Sequence, residues 1–244
     1  MKFSIIVPTY QEEEYIERCL HSIVQQDYKR EEFEIIVSDA HSTDLTLEKA
    51  RQYGDKIILN DRRGIAFGRN AGAQSALGDI LVFVDADATL SSDFLSQCHR
   101  VFQNSTVVGM TGIASPSDGG WMQRLVYRGT YWLVRLVHLF HISLFTGICA
   151  AYRRDVFMNI GGFREDFGIV EDLDLSRRIS RLGTCAVNKK ARAFVSTRRL
   201  EKHLLSTVTF HIYSDIKYLF TGKSSMYYPK AEEMNSWKDL WQNR

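Results

Sequence analysis

The stretch LVFVDADATL, residues 81–90, ends an apolar run in two aspartates one residue apart, Asp85 and Asp87. On an extended chain residues i and i+2 point to the same side. The spacing therefore predicts two carboxylates about 5 Å apart that repel by roughly 3 kcal/mol at an effective dielectric near 20. A divalent cation removes that repulsion. Oxygen-only ligation at a strand end suits Mg²⁺ or Mn²⁺, which bind through one or two carboxylates plus substrate phosphates. The chain contains no glycine-rich phosphate loop of the Walker or dinucleotide-binding kind. A metal at Asp85 and Asp87 is then the natural way to hold a diphosphate.

Other polar residues cluster at predicted strand ends. In PTYQE, Thr9, Tyr10 and Glu12 follow the first apolar run, with Tyr10 suited to pack on a nucleobase or equally to a simple packing role, and Glu12 to bind ribose. Asp39 in SDAHSTD can accept from a base N–H or a ribose hydroxyl, while Asp44 suits a helix N-terminus. In RRGIAFGRNAG, Arg69 has three readings: a phosphate grip, a partner for the aspartate pair, or a surface arginine on a tightly packed helix. Gly64, Gly68 and Gly72 allow close backbone approach to a ligand. Glu171 and Asp172 in GIVEDLDLSRRI form an acidic pair at a loop-to-helix junction, a candidate general base. Arg198 and Arg199 can neutralise a leaving group. The pair His138 and His141 has helical spacing and could bind a metal, but no third ligand is evident and a packing or interface role is favoured. VDADATL also fits the D-x-D-x-T signature of haloacid-dehalogenase phosphatases, with Asp85 as nucleophile and Asp87 as acid; against that reading, the motif ends the fourth predicted strand, not the first.

The elements that must position these groups follow from periodicity. FSIIVP (3–8), FEIIVSDA (33–40), KIILN (56–60) and DILVFVDAD (79–87) read as strands. Between them, EEEYIERCLHSIVQQ has apolar residues at helical spacing, STDLTLEKARQYG opens with Ser42 as a candidate N-cap, and GIAFGRNAGAQSALG is a small-residue helix. SSDFLSQCHRVFQ is a further helix. This alternation predicts βαβ units in an α/β fold with a mostly parallel central sheet flanked by helices, and ligands beyond the carboxyl ends of its strands. In the second half, 161–183 reads as a loop entering a helix and 208–220 as a late helix.

With 244 residues, 45% hydrophobic and 25% charged, the chain has enough material for a sizeable core. A net charge of +2 and a pI near 8.3 do not suggest a nucleic-acid binder. Cys19, Cys98, Cys149 and Cys185 show no zinc-ribbon spacing and fit a reducing compartment. The N-terminal apolar run is too short for a signal peptide, and 136–152 is too short and too rich in histidine for a membrane span. The expected location is cytoplasmic, peripheral at the inner face of a membrane.

Taken together, SIIVPTYQEEEYIERCLHSI, EIIVSDAHSTD, GIAFGRNAGAQSALGDILVFVDAD, GGF and EDLDLSRRISRLG resemble, in order over about residues 3–183, the family 2 glycosyltransferases of GT-A fold. The resemblance implies inverting transfer of a sugar from a UDP- or GDP-sugar to an acceptor, with Mg²⁺ or Mn²⁺. It places Pro8, Thr9, Tyr10, Glu12 and Asp39 in the nucleoside pocket, Asp85 and Asp87 at the metal and donor, and Asp172, beside Glu171, as the base. An acceptor phosphate, as in polyprenyl-phosphate sugar synthases, needs no base. The Q-x-x-R-W motif of processive synthases is absent, so single transfer is expected; STRR, with Arg199, is a loose replacement. A non-catalytic sugar-nucleotide binder is the remaining alternative. The expected organisation is a glycosyltransferase domain over 1–200, its nucleotide half about 1–90 and its acceptor half about 91–200, with a helical extension at 201–244.

Between Asp118 and Asp155 there is no acidic residue. At 100° per residue, Arg124, Arg128, Tyr131, Arg135 and His138 form one stripe, and Trp121, Met122, Leu125, Trp132, Leu133, Leu136, Leu139 and Phe140 lie on the other side. Such a helix either rests on a membrane or packs on the sheet. Trp237, Leu240 and Trp241 repeat the pattern weakly. A lipid-linked acceptor and contact with a membrane surface are the corresponding expectations.

Overall fold

In a computed structural model, the backbone is described for residues 1–139, 145 and 147–224, and the side chains likewise except those of 133–139 and 199–206. The predicted positions at Leu133, Arg135, Leu136, His138, Leu139, Phe140, His141, Trp237, Leu240 and Trp241 therefore lie outside the described side chains.

The first half follows the predicted alternation. Strand β1 (Phe3–Thr9) leads to helix α1 (Ile16–Val24), then β2 (Phe33–Asp39), α2 (Thr46–Ala50), β3 (Lys56–Leu59), α3 (Ile65–Gln74) and β4 (Ile80–Val84). β1, β2 and β4 are near-continuous apolar runs because both faces of this part of the sheet are covered, while β3 at the edge stays partly exposed. β1 pairs in parallel with β2 and β4, and β2 with β3. Helix α1 buries Ile16, Cys19, Leu20 and Ile23, one face of a 3.6-residue repeat.

Helix α3 is rich in small residues for a different reason from the expected one. A Cβ on Gly72 would come within 2.4 Å of Ile6 Cγ2, and one on Gly68 within 3.0 Å of Pro8 Cβ. These glycines bring the helix backbone against β1 rather than against a ligand. Ser42 does not cap α2, which begins at Thr46 after Leu45; its hydroxyl donates to Asp39 instead. Asp44, just ahead of α2, accepts the Thr46 N–H.

The second half completes the sheet. Strands β5 (Ala88–Leu90), β6 (Val107–Pro116), β7 (Cys149–Arg153) and β8 (Thr184–Val195) join helices α4 (Phe94–Phe102), α5 (Trp121–Leu139), α6 (Arg154–Asn159), α7 (Glu171–Ile179) and α8 (Arg198–Thr221). The strand order is β3-β2-β1-β4-β7-β6-β8-β5. β7 runs antiparallel to both β4 and β6, and β5 antiparallel to β8, while β6 and β8 are parallel. The sheet is thus mixed, mostly parallel. Helix α8 packs Phe210 and Tyr218 with Phe167, Ile169, Val170 and Leu173. The four cysteines are buried free thiols.

Candidate functional site

The polar ends of β1, β2 and β4 meet where α7 and α8 begin. The turn after β4 departs from the expected extended chain. Strand β4 stops at Val84, and the Ala88 N–H closes a turn onto the Asp85 carbonyl at 3.0 Å. Asp85 and Asp87 are therefore held in a turn, and each meets its own arginine. Asp85 Oδ1 accepts from Arg69 Nη2 at 2.9 Å, and Asp87 Oδ2 lies 3.4 Å from Arg198 Nη2.

Arg69 is 1% exposed. Its Nη1 donates to Glu171 Oε1 at 2.9 Å, its Nη2 also donates to the Gly147 carbonyl at 3.0 Å, and its guanidinium lies 5.1 Å from the centre of the Phe163 ring. The surface reading does not describe this placement; the reading of Arg69 as a partner of the aspartate pair does, at Asp85. A buried cation bridges the D-x-D turn to the acidic pair at the start of α7. Desolvation opposes the Arg69 charge, but Asp85 and Glu171 outweigh it and the guanidinium is held above its ordinary value.

Glu171 is buried, and burial, helped by neighbouring Asp172 and opposed by Arg69, pushes its carboxyl up to about 7. Asp172 is half-buried; its Oδ2 accepts from Gly147 N–H at 2.8 Å and its Oδ1 from Leu173 N–H. The pair enters α7 through Val170, which carries φ +65°. A β-branched residue in the left-handed region is strained by about 1–3 kcal/mol. Gln11 (φ 57°) and His41 (φ 58°), the other non-glycine residues of positive φ among those described, follow β1 and β2. All three sit on loops that carry the predicted site residues.

Asp39 is fully buried. Its Oδ2 accepts from Thr9 Oγ1 at 2.9 Å and Ser42 Oγ at 2.6 Å, its Oδ1 from Ser42 N–H at 2.7 Å, and Ser42 Oγ in turn accepts the Gln11 N–H. The carboxylate thus ties the two loops together. Pro8 packs beneath Gly68. Tyr10 is half-buried with the Arg63 guanidinium 4.7 Å from its ring centre. Glu12 Oε1 and Oε2 each accept from Arg198 Nη2, at 2.5 and 2.7 Å. The side chain of Arg199 lies outside the described residues.

A second buried network explains the GGF segment. Gly162 has φ +66°, which suits glycine. Asn70 Nδ2 donates to the Phe163 carbonyl at 2.9 Å and Asn70 Oδ1 accepts the Phe163 N–H at 3.0 Å. Arg178 pairs with Asp174 at 2.6 Å and donates to the Ile160 and Gly162 carbonyls. Asp174 and Arg178 therefore brace the site from behind. A cleft of about 610 Å³ lies on that outer side, lined by Gln74, Met158 and Arg164 among others, and is not lined by Asp85 or Asp87.

Two acids, an acidic pair beside them and a loop-bound carboxylate gather at the ends of the strands, each acid of the turn beside an arginine. The family model described as Glycosyl transferase family 2 matches residues 4–161. The chain belongs to glycosyltransferase family 2. Among family 2 relatives, the chain is 39% identical over 101 residues to the poly(ribitol-phosphate) β-N-acetylglucosaminyltransferase TarS of Staphylococcus aureus, covering 39% of this chain and 18% of that protein. It is 26% identical over 180 residues to the glucosyl-dolichyl phosphate glucuronosyltransferase of Haloferax volcanii, covering 69% of this chain and 58% of that one. The chain thus spans less than two thirds of the length of these relatives. A mannosyltransferase of Pyrobaculum calidifontis, solved with GDP-Man and Mn²⁺, superposes with a TM-score of 0.72 at 24% identity, over 95% of this chain and 67% of that chain. A crystal structure of S. aureus TarS gives 0.64 at 22% identity, over 91% and 46%. The fold is GT-A, and family membership sets aside the phosphatase reading of D-x-D-x-T.

Sequence reasoning missed Gly147, Arg63 and Asp215. Burial, with Asp172 nearby, pushes the Asp215 carboxyl up to about 7. Nothing in the local sequence marks any of the three, since each is brought in by tertiary packing.

Proposed function

We propose that this chain is an inverting hexosyltransferase that moves a sugar from a UDP- or GDP-sugar to an acceptor in one in-line displacement. The observation that supports the reading is the Arg69 bridge between Asp85 and Glu171, which joins the D-x-D turn to the acidic pair at 171–172. Residues about 1–90 would hold the nucleotide, with Tyr10, Glu12 and Asp39 toward the nucleoside, and residues about 91–200 the acceptor.

Asp85 and Asp87 offer oxygen ligands alone, which fits Mg²⁺ or Mn²⁺. Among the described residues no group of three His, Cys, Asp or Glu side chains is placed to hold a metal, so the rest of the shell would come from donor phosphates and water. When bound, such an ion neutralises charge on the departing diphosphate. Asp172 would take the proton of an acceptor hydroxyl: the hydrogen bonds it accepts from Gly147 and Leu173 leave further lone pairs on each oxygen. If the acceptor is a phosphate, Asp172 instead serves to hold Gly147 against Arg69.

The acceptor reading is a lipid-linked one at a membrane surface. Trp121, Met122, Leu125 and Trp132 of α5 are exposed, as are Arg124 and Arg128 between them. Basic and aromatic residues on one exposed helix suit an anionic interface. No described helix is long and apolar enough to cross a membrane. Failure to bind anionic liposomes at low salt would remove this part.

The test of the donor reading is calorimetric titration with UDP and GDP, with and without MnCl₂. One of them binds only with the ion, and Asp87→Ala abolishes that binding. Nucleotide binding without release of donor sugar to any acceptor or to water would mark a non-catalytic binder. Absence of nucleotide binding would refute the proposal outright.

A further inference from the structure

Arg198 is the first residue of α8, and its backbone is pinned. Asp118 Oδ1 accepts both the Thr197 N–H at 2.7 Å and the Thr197 hydroxyl at 2.6 Å. The Arg198 guanidinium lies 4.4 Å from the centre of the Tyr15 ring. From there one nitrogen, Nη2, reaches both Glu12 oxygens and stands 3.4 Å from Asp87 Oδ2. Three chain segments converge on it: the loop after β1, the turn after β4 and the entry to α8. Desolvation works against the Arg198 charge, yet Glu12 and Asp87 hold the guanidinium above its ordinary value. Its Nε–H is buried without a hydrogen-bond partner among the described residues. A buried donor left unmet is costly, and a phosphate oxygen is the acceptor that guanidinium geometry fits best.

We propose that Arg198 is a positioning cation of the donor site, fixed by Glu12 beside Asp87 so that it opposes a divalent ion alone and favours the ion together with a diphosphate. This inference rests on the glycosyltransferase reading. Two cations beside one carboxylate repel each other. Arg198 therefore weakens binding of a bare ion at Asp87. An anionic diphosphate between guanidinium and ion reverses the sign, because each cation then gains an anionic partner and the Nε–H gains an acceptor. The pairing with Glu12 keeps Arg198 from closing fully on Asp87: it hydrogen-bonds to Glu12 but meets Asp87 only as a longer ion pair. The site thereby discriminates the loaded donor from free metal.

The signature is a pair of affinity changes of opposite sign, which loss of structure cannot produce. The full chain and its Arg198→Ala, Arg198→Gln and Arg198→Lys variants are titrated with MnCl₂ alone, then with inorganic pyrophosphate, UDP and GDP at saturating MnCl₂. Arg198→Ala and Arg198→Gln should bind Mn²⁺ alone about three- to tenfold more tightly, the weight of one nearby charge in a site that solvent still reaches. The same variants should bind pyrophosphate and the nucleotide at least about tenfold more weakly, since a charge-assisted contact is lost. Arg198→Lys keeps the charge without the fork, so its Mn²⁺ affinity stays near that of the parent chain and its diphosphate affinity falls in between. Arg198→Gln carries the test if the alanine variant does not fold. Weaker or unchanged Mn²⁺ binding in the neutral variants, or unchanged diphosphate binding, overturns the role of Arg198. If the parent chain binds neither UDP nor GDP with MnCl₂, the functional reading falls and this inference falls with it; if it binds one of them and the split is absent, only Arg198 loses its role.

Discussion

Arg69 and Gly147 are fitted to each other: Arg69 Nη2 donates to the Gly147 carbonyl at 3.0 Å, and a Cβ added to Gly147 would stand 2.4 Å from that same nitrogen. Gly147 also donates its N–H to Asp172. One small residue thus touches both the buried cation and the candidate base. Gly147→Ala must push the guanidinium off Asp85 or Glu171, and neither carboxylate has a second arginine in reach among the described contacts. Overpacking of this kind costs about 1–3 kcal/mol. The melting temperature should fall, and nucleotide binding with Mn²⁺ should weaken in the same variant because the Asp85 turn loses its anchor.

The Glu171 carboxyl gives stability a pH dependence with a definite sign. In the unfolded chain it titrates near the usual glutamate value of about 4.3; in the fold, desolvation first and Asp172 second push it up to about 7, against the pull of Arg69. The folded state therefore holds a proton that the unfolded state releases. The associated stability is complete below the unfolded value and is lost as pH rises through about 7. Glu171→Gln removes this dependence while Arg69 keeps Asp85. The stability of Glu171→Gln relative to the parent should rise between pH 5 and pH 8, by on the order of 2–3 kcal/mol. Urea melts at the two pH values measure it, and a difference that is flat or falls with pH contradicts the assignment.

Asn70 is the clamp on the GGF segment. Its amide serves both polar groups of the Phe163 backbone and donates as well to Glu165. Phe163 in turn lies under Arg69. Asn70→Ala leaves a buried N–H and a buried carbonyl unmet, each costing about 1–3 kcal/mol. A loss of about 2–4 kcal/mol in chemical denaturation is expected on that basis. Asn70→Asp retains the acceptor but not the donor and sets a charge beside Glu165, so it should be no better than alanine at neutral pH.

Which parts of this were legible in the sequence follows a physical line. β1, β2 and β4 announce themselves because parallel strands buried on both faces read as unbroken apolar runs, and β3, at the sheet edge, is legible from its Ile-Ile-Leu run alone. The D-x-D turn and the acidic pair at 171–172 were visible as charges that an apolar context makes costly. The second half was harder to read. β6 and β8 contain glycine, polar and charged residues, and β7 is five residues long, so none shows a clear period of two. The reading of Asp85 and Asp87 as an extended pair failed since β4 ends at Val84 and the backbone turns there. The pairing of Arg69 with the aspartate turn was among its readings and is what the fold shows at Asp85, but its burial, its second partner Glu171 and the role of Asn70 were hidden, because their partners come from the far half of the chain.

The two acids of the D-x-D turn should respond differently to removal. Asp85 is paired with a cation that is 1% exposed, and deleting one member of a buried pair leaves the other uncompensated. Asp85→Ala therefore costs stability, about 2–4 kcal/mol given that Glu171 still holds Arg69. Asp87 meets Arg198, a cation less deeply buried than Arg69, only as an ion pair at 3.4 Å, and Arg198 retains its double contact with Glu12 when Asp87 is lost. Asp87→Ala should stay within about 1 kcal/mol of the parent. Both variants should lose Mn²⁺-dependent nucleotide binding, so folding and ligation separate cleanly: Asp85 serves both and Asp87 serves ligation alone. Thermal melts paired with calorimetry on the two variants decide this. A strongly destabilised Asp87→Ala, or an Asp87→Ala that still binds UDP or GDP with MnCl₂, would show that the turn is organised around Asp87 for packing and not for a ligand.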